Sequence, residues 1–411
     1  MELKKAVFYN ILIDRFSRGK ELDKEGWGCE GPKFCGGTLK GVIERLEYLQ
    51  KLGVDVLLLT PFVKGTEYHG YHTTDLFSMD PRLGTLPDLK NLLAEAHKRD
   101  MKVIMDWTIN HVSKKHPYFI AAAADKKSEY RKWFHFYGDS GRYKTFLTVT
   151  DLPKLNLGHP PAKAHVLEAT KFWLRQGVDG LRLDHVIGIS HEFWKEFRAA
   201  IKNEFPDAIL IGEAVKGRIS WRELPTLNLR YKSLVYLLSL IRIQHNEIMV
   251  WQYAPYFDAM LDFRFRDIVI EEIAKPKRPR LRFAKLLLKL HYSLYPKEYP
   301  LIAVLDNADR NRLIFESGND WGKWETGIGL QFAQDNPVSI YYGSEAGVTQ
   351  DVSLDHSARD GDLDIRRPMP WDHIDAKTFA FYKKLIKEKR SRATETAVPS
   401  EHGAAEKAAR V

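Results

Sequence analysis

LIAVLDNADRNR, residues 301–312, runs from unbroken apolar side chains into two carboxylates, Asp306 and Asp309, and a guanidinium, Arg312. Continuous apolar runs of this length are what strands buried on both faces require. Seven other runs share the pattern: AVFYNILI (6–13), VDVLLLT (54–60), KVIMDW (102–107), GLRLD (180–184), AILIGE (208–213), FDAMLDF (257–263) and VSIYYG (338–343). Helical spacing fills the intervals. Leu39, Val42, Ile43, Leu46 and Leu49 repeat at 3–4 residues, as do Leu89, Leu92, Leu93 and Ala96. Ser190 stands as an N-cap before Phe193, Trp194, Phe197 and Ile201. Strand alternating with helix implies parallel pairing, and eight repeats predict an α/β fold, a closed (β/α)8 TIM barrel.

Two intervals are too long for loops. Residues 112–159 read as a short subdomain inserted after the third strand, which leaves 1–111 and 160–390 for the barrel. Residues 216–255, with the apolar run LVYLLSLIRI (234–243), read as an extended, partly helical cover for the barrel mouth. Residues 391–411, whose only apolar side chains are Ala and Val, read as a disordered or loosely helical tail.

In a parallel barrel the strand C-termini share one face, where catalysis sits. The third run continues as DWTINH, with Asp106, Asn110 and His111. The fourth carries Arg182 and Asp184, the fifth ends in Glu213, and the seventh delivers Asp306 and Asp309. Arg182 and Asp184 lie two apart and project from one side of a strand. One such carboxylate would be an ordinary helix cap. Several on one face, with an arginine among them, point to chemistry that needs paired carboxylates, above all glycoside hydrolysis. Aromatic residues, 12% of the chain, could provide stacking platforms for sugar rings, though many must be core.

These residues resemble the α-amylase family, glycoside hydrolase family thirteen. DWTINH, GLRLDH, IGEA and LDNADRNR resemble its four signatures in order. LPKLN (152–156), HGYHTTDLFSMDPRLGT (69–85) and RRPMPW (366–371) add to the likeness, which covers residues 7 to about 390. The resemblance implies a retaining hydrolase of α-1,4-linked glucans, maltooligosaccharides or cyclodextrins. A 4-α-glucanotransferase with the same site and a non-catalytic glucan-binding homologue are the alternatives. It implies Asp184 as nucleophile, Glu213 as acid/base and Asp309 as the third carboxylate. Tyr71 and His111 would line the attacked sugar's subsite, Arg182 would orient Asp184, Asp106 would brace Arg182, and Arg312 would reach the next sugar. No cofactor is required. Relatives use the Asn110 position for calcium, but with ligands from a larger subdomain, so no metal site is assigned.

The chain departs from the family at four points. Ala308 replaces a histidine that hydrogen-bonds glucose, HVIG (185–188) replaces a Lys–His pair after the nucleophile, and His72 replaces an aspartate. The C-terminal β-sandwich is expected to be missing.

The remaining totals set class and compartment. No apolar run approaches the roughly 20 residues of a membrane helix, and residues 1–16 lack the pattern of a signal peptide, so a cytoplasmic protein without membrane partners is expected. The net charge of +9 is scattered. Its densest cluster, KPKRPRLRFAKLLLK (275–289), reads as the solvated face of an amphipathic helix, not as a nucleic-acid site. Cys29 and Cys35 fit either a small disulfide loop or two free thiols. Nothing in the sequence sets the oligomeric state.

Overall fold

The computed structural model describes residues 2–29, 31–138, 140–215, 250–355 and 361–395. Eight parallel strands close into a barrel: β1 (Val7–Ile11), β2 (Val56–Leu59), β3 (Lys102–Trp107), β4 (Gly180–Leu183), β5 (Ile209–Gly212), β6 (Ala259–Asp262), β7 (Leu301–Val304) and β8 (Val338–Tyr341). Each pairs with its neighbours in sequence, and β8 closes on β1, with Val7 opposite Val338. Except for β3, the strands are shorter than the runs that announce them; Asp184 and Glu213 fall just beyond the last β4–β5 pair, whereas Asp106 and Arg182 pair with each other inside the barrel.

Side-chain alternation divides the apolar residues into two layers. Phe8, Val56, Leu58, Ile104, Ile211, Leu261, Ile302 and Val304 form one buried cluster, the barrel interior. Tyr9, Leu57, Val103, Leu181, Leu210 and Ile340 belong to a second, which packs against the surrounding helices. Parity also places the polar residues. Asp106 follows Ile104 by two, and Glu213 follows Ile211 by two, so each continues the inward-facing row at the mouth.

One flanking helix spans Pro160–Arg175, and others form where the periodicity places them, including Leu39–Glu44, Leu86–His97 and His191–Glu204. Ser190 caps the last of these by accepting from Phe193 N–H. Between β3 and the Pro160–Arg175 helix lie a helix at Pro117–Ala124 and an antiparallel hairpin, Thr145–Phe146 with Val149–Pro153. The final helix, Ala376–Glu395, runs five residues into the stretch read as a tail. Residues 396–411 lie outside the described residues, as does the run LVYLLSLIRI.

One surface reading needs correction. The Leu281–Tyr292 helix buries only the narrow stripe Ala284, Leu288 and His291. Leu281, Phe283, Leu286 and Leu290 stay exposed among the basic residues, so its outer face is mixed apolar and basic. The two cysteines form a disulfide, Cys29–Cys35. Among the described residues, no helix is long and apolar enough to cross a membrane.

Candidate active site

Arg182 organises the mouth of the barrel. Its Nη1 donates to both oxygens of Asp106, at 2.7 and 2.8 Å, and to Asp184 Oδ1 at 3.0 Å. Its Nη2 pairs with Glu213 Oε1. All four residues are buried. Tyr71 Oη completes the lower shell by donating to Asp106 Oδ2 at 2.8 Å, and His185 N–H donates to Glu213 Oε2 at 3.3 Å. The chain turns sharply after Asp184: His185 sits at φ 47°, a left-handed conformation uncommon outside glycine.

Three buried carboxylates share one guanidinium, so their charges are not balanced within the cluster. Burial pushes Asp184, Glu213 and Asp106 upward, against the pull of Arg182. They titrate as a set, and the excess of negative charge favours retention of a proton above the ordinary carboxylate range. Asp309 differs. Its side chain is 54% exposed and held from one side only, by Arg366 Nη2 at 3.2 Å.

Asp184, Glu213, Asp309, Tyr71 and His111 line one cavity of about 360 Å³. A larger depression of about 740 Å³, beside Arg131 and Lys144 on the inserted segment, contains none of the carboxylates. His111 is buried; its Nε2 finds no partner among the described residues, and burial with the neighbouring His185 holds its imidazole down at about 3. It is therefore neutral. Asp106 does not line the cavity; it lies beneath Arg182 as a brace.

Arg312 stands apart from the expected place near the next sugar. It is fully buried, and its guanidinium donates to Ser344 Oγ, Tyr342 O and Ile365 O at 3.1–3.3 Å. These acceptors follow β8 and draw the side chain away from the cleft. Asp306 is occupied similarly, accepting from Leu313 N–H and Ser344 Oγ.

Arg366 is a cleft residue that sequence reasoning did not single out. Its Nε donates to Ala308 O at 3.0 Å, while Nη1 donates to Tyr68 Oη and Nη2 to Asp309. The motif RRPMPW marked the segment but not this reach. Ala308 itself is buried, packs in the core and does not line the cavity. The missing imidazole thus leaves no open space beside Asp309. Ala308→His is expected to overpack, costing about 1–3 kcal/mol of stability without a gain in kcat/KM. Urea unfolding and maltotriose kinetics on the same preparation check this; a faster variant of parental stability would contradict it.

The surroundings of Asn110 disfavour a divalent cation. Among the described residues, no cluster of three or more His, Cys, Asp or Glu is arranged for a metal. Asn110 Oδ1 faces Gly188, and the Gly188 carbonyl accepts from the ammonium of Lys154. Burial holds that ammonium down at about 8, still largely charged at neutral pH. A side-chain cation beside Asn110 repels a divalent ion. Dialysis against EDTA should leave the thermal midpoint unchanged, and added calcium should not raise it; a calcium-dependent rise would overturn this reading.

An eight-stranded parallel barrel with a carboxylate–guanidinium cluster at its C-terminal face defines the class of TIM barrels that carry their chemistry on strand-end side chains. Comparison with known proteins narrows the class. The family model "Alpha amylase, catalytic domain" matches residues 10–407, and the chain belongs to the α-amylase family. It is 32% identical to a cyclomaltodextrinase of Bacillus sp. over 95% of this chain and 66% of that protein. It is 31% identical to neopullulanase 2 of Thermoactinomyces vulgaris over 93% and 62%. Among solved structures, a cyclomaltodextrinase superposes with a TM-score of 0.76 at 31% identity, covering 95% of this chain and 63% of that one. The chain spans just under two thirds of the length of these relatives.

Proposed function

We propose that this chain hydrolyses α-1,4-glucosidic bonds in starch-like glucans, maltooligosaccharides or cyclodextrins, with retention of configuration. The observation that carries the proposal is Arg182 joining Asp106, Asp184 and Glu213 at the barrel mouth, with Asp309 in the same cavity. Asp184 attacks the anomeric carbon as Glu213 gives its proton to the departing glycosidic oxygen. A covalent glucosyl ester on Asp184 results. Glu213, now ionised, takes a proton from water, which attacks the ester and releases the sugar. Burial favours the protonated form of Glu213 before the first step. Arg182 holds the Asp184 carboxylate, and Asp309, more exposed, receives sugar hydroxyls. Tyr71 and His111 bound the subsite.

The barrel of 1–111 and 160–390 and the inserted 112–159 are proposed as the working division of the chain. The substrate is the only partner proposed, with neither nucleic acid nor membrane. The cytoplasm is proposed as the compartment, in keeping with a 29% identical relative named intracellular maltogenic amylase of Bacillus subtilis. The Cys29–Cys35 bond weighs against it, since disulfides are rare in most cytosols. The same carboxylates would serve a 4-α-glucanotransferase if a sugar replaced water. Chromatography of products from starch, maltotriose, cyclodextrin and pullulan separates the readings. Shorter products alone support hydrolysis; oligomers longer than the supplied maltotriose show transfer; binding without turnover leaves a glucan-binding protein.

A further inference from the structure

The inserted hairpin places its tip in the active-site cleft. Its two strands are joined by Leu147 and Thr148, with Phe146 paired to Val149. Leu147 sits at φ 48°, at a turn position that hairpins ordinarily give to Gly, Asn or Asp. The residue is 63% exposed, so no burial of its own offsets the strained backbone. Thr145 Oγ1 donates to Leu147 O at 3.2 Å, and Tyr143 Oη to Thr150 O at 2.8 Å, which hold the tip in place. Phe146 is wedged beside two cleft imidazoles, its ring centroid 4.5 Å from His111 and 4.8 Å from His185. Phe146 and Leu147 line the same cavity as Asp184 and Glu213. An exposed leucine held against its backbone preference at the edge of a catalytic cleft is a feature without a packing purpose.

We propose that Leu147, backed by Phe146, is a specificity determinant that selects cyclic maltooligosaccharides. The reading rests on the hydrolase function proposed above. In a ring of α-1,4-linked glucoses the hydroxyls line the two rims, and the inner wall carries C–H groups and glycosidic oxygens. That wall is a concave apolar surface, and a protruding apolar tip is its complement. The tip enters the ring and presents one glycosidic bond of its wall to Asp184 and Glu213. A linear chain of equal length does not enclose the tip and gains less from it.

The test compares β-cyclodextrin with maltoheptaose, which has the same number of glucose units. Leu147→Asn and Leu147→Gly both remove the apolar side chain and accept φ > 0, so both should fold, as the thermal midpoint will report. In each, the ratio of kcat/KM for β-cyclodextrin to that for maltoheptaose is expected to fall about tenfold, the scale of one apolar contact in a specificity pocket. A fall smaller than about threefold in the folded variants overturns the proposal, as does a parent that cleaves maltoheptaose but not β-cyclodextrin; either leaves the hydrolase reading standing. A parent that cleaves neither sugar defeats both.

Discussion

Asp184→Asn and Glu213→Gln each lose turnover by about a thousandfold or more, with the fold intact. Both substitutions keep the shape of the side chain. Asn still offers Arg182 Nη1 an acceptor in place of Asp184 Oδ1, and Gln does so for Nη2. Asp184→Asn also removes negative charge from a cluster in which one guanidinium faces three carboxyl groups, and Glu213→Gln replaces a carboxyl whose protonated form burial already favours. Stability should therefore hold or rise. Chemistry should not, since an amide neither forms the glucosyl ester nor supplies the proton. The two losses are separable. A maltosyl fluoride departs without protonation, so Glu213→Gln should recover much of its rate in the first step on that substrate, whereas Asp184→Asn should recover none. If either folded variant keeps a tenth of the parental turnover on maltotriose, about 1.4 kcal/mol in barrier, its residue is misassigned.

The second large effect is on stability. Arg182→Met should cost about 3–5 kcal/mol, because it leaves buried carboxylates without their cation. The sign of its pH dependence follows from their shifts. Asp184, Glu213 and Asp106 are already raised by burial, and losing Arg182 raises them further. A carboxyl whose folded pKa exceeds its unfolded value binds more protons when folded, so its contribution to stability declines as pH rises through that window. The penalty of Arg182→Met should thus be greater at pH 8 than at pH 5. Urea unfolding at both values measures it. An equal penalty at the two would show that Arg182 matters through packing and not through charge.

The strands and the reacting groups were legible in the sequence for one shared reason. A buried parallel strand must be continuously apolar, and side chains alternate between faces, so Ile104 and Ile211 announce where Asp106 and Glu213 will point. Features decided by distant segments were not legible. Arg312 follows β7 closely enough to look like a cleft residue, yet acceptors after β8, Ser344 Oγ and Tyr342 O, settle its direction. Arg366 lies more than fifty residues beyond Asp309 and meets it because β8 lies beside β7. Cys29 and Cys35 were compatible with bond or thiol, and local spacing could not choose. Leu147 carried no signal, since a leucine gives no hint of a left-handed turn; only the backbone exposes it.

The central claim is a double displacement through Asp184, and the anomeric configuration of the first product tests it most directly. Proton NMR of a maltooligosaccharide digest, recorded faster than mutarotation, should show the new reducing end appearing as the α-anomer and the β-anomer growing later. A β-anomer at first appearance would mean a single inverting displacement, with water and not Asp184 as the attacking group, and would contradict the account.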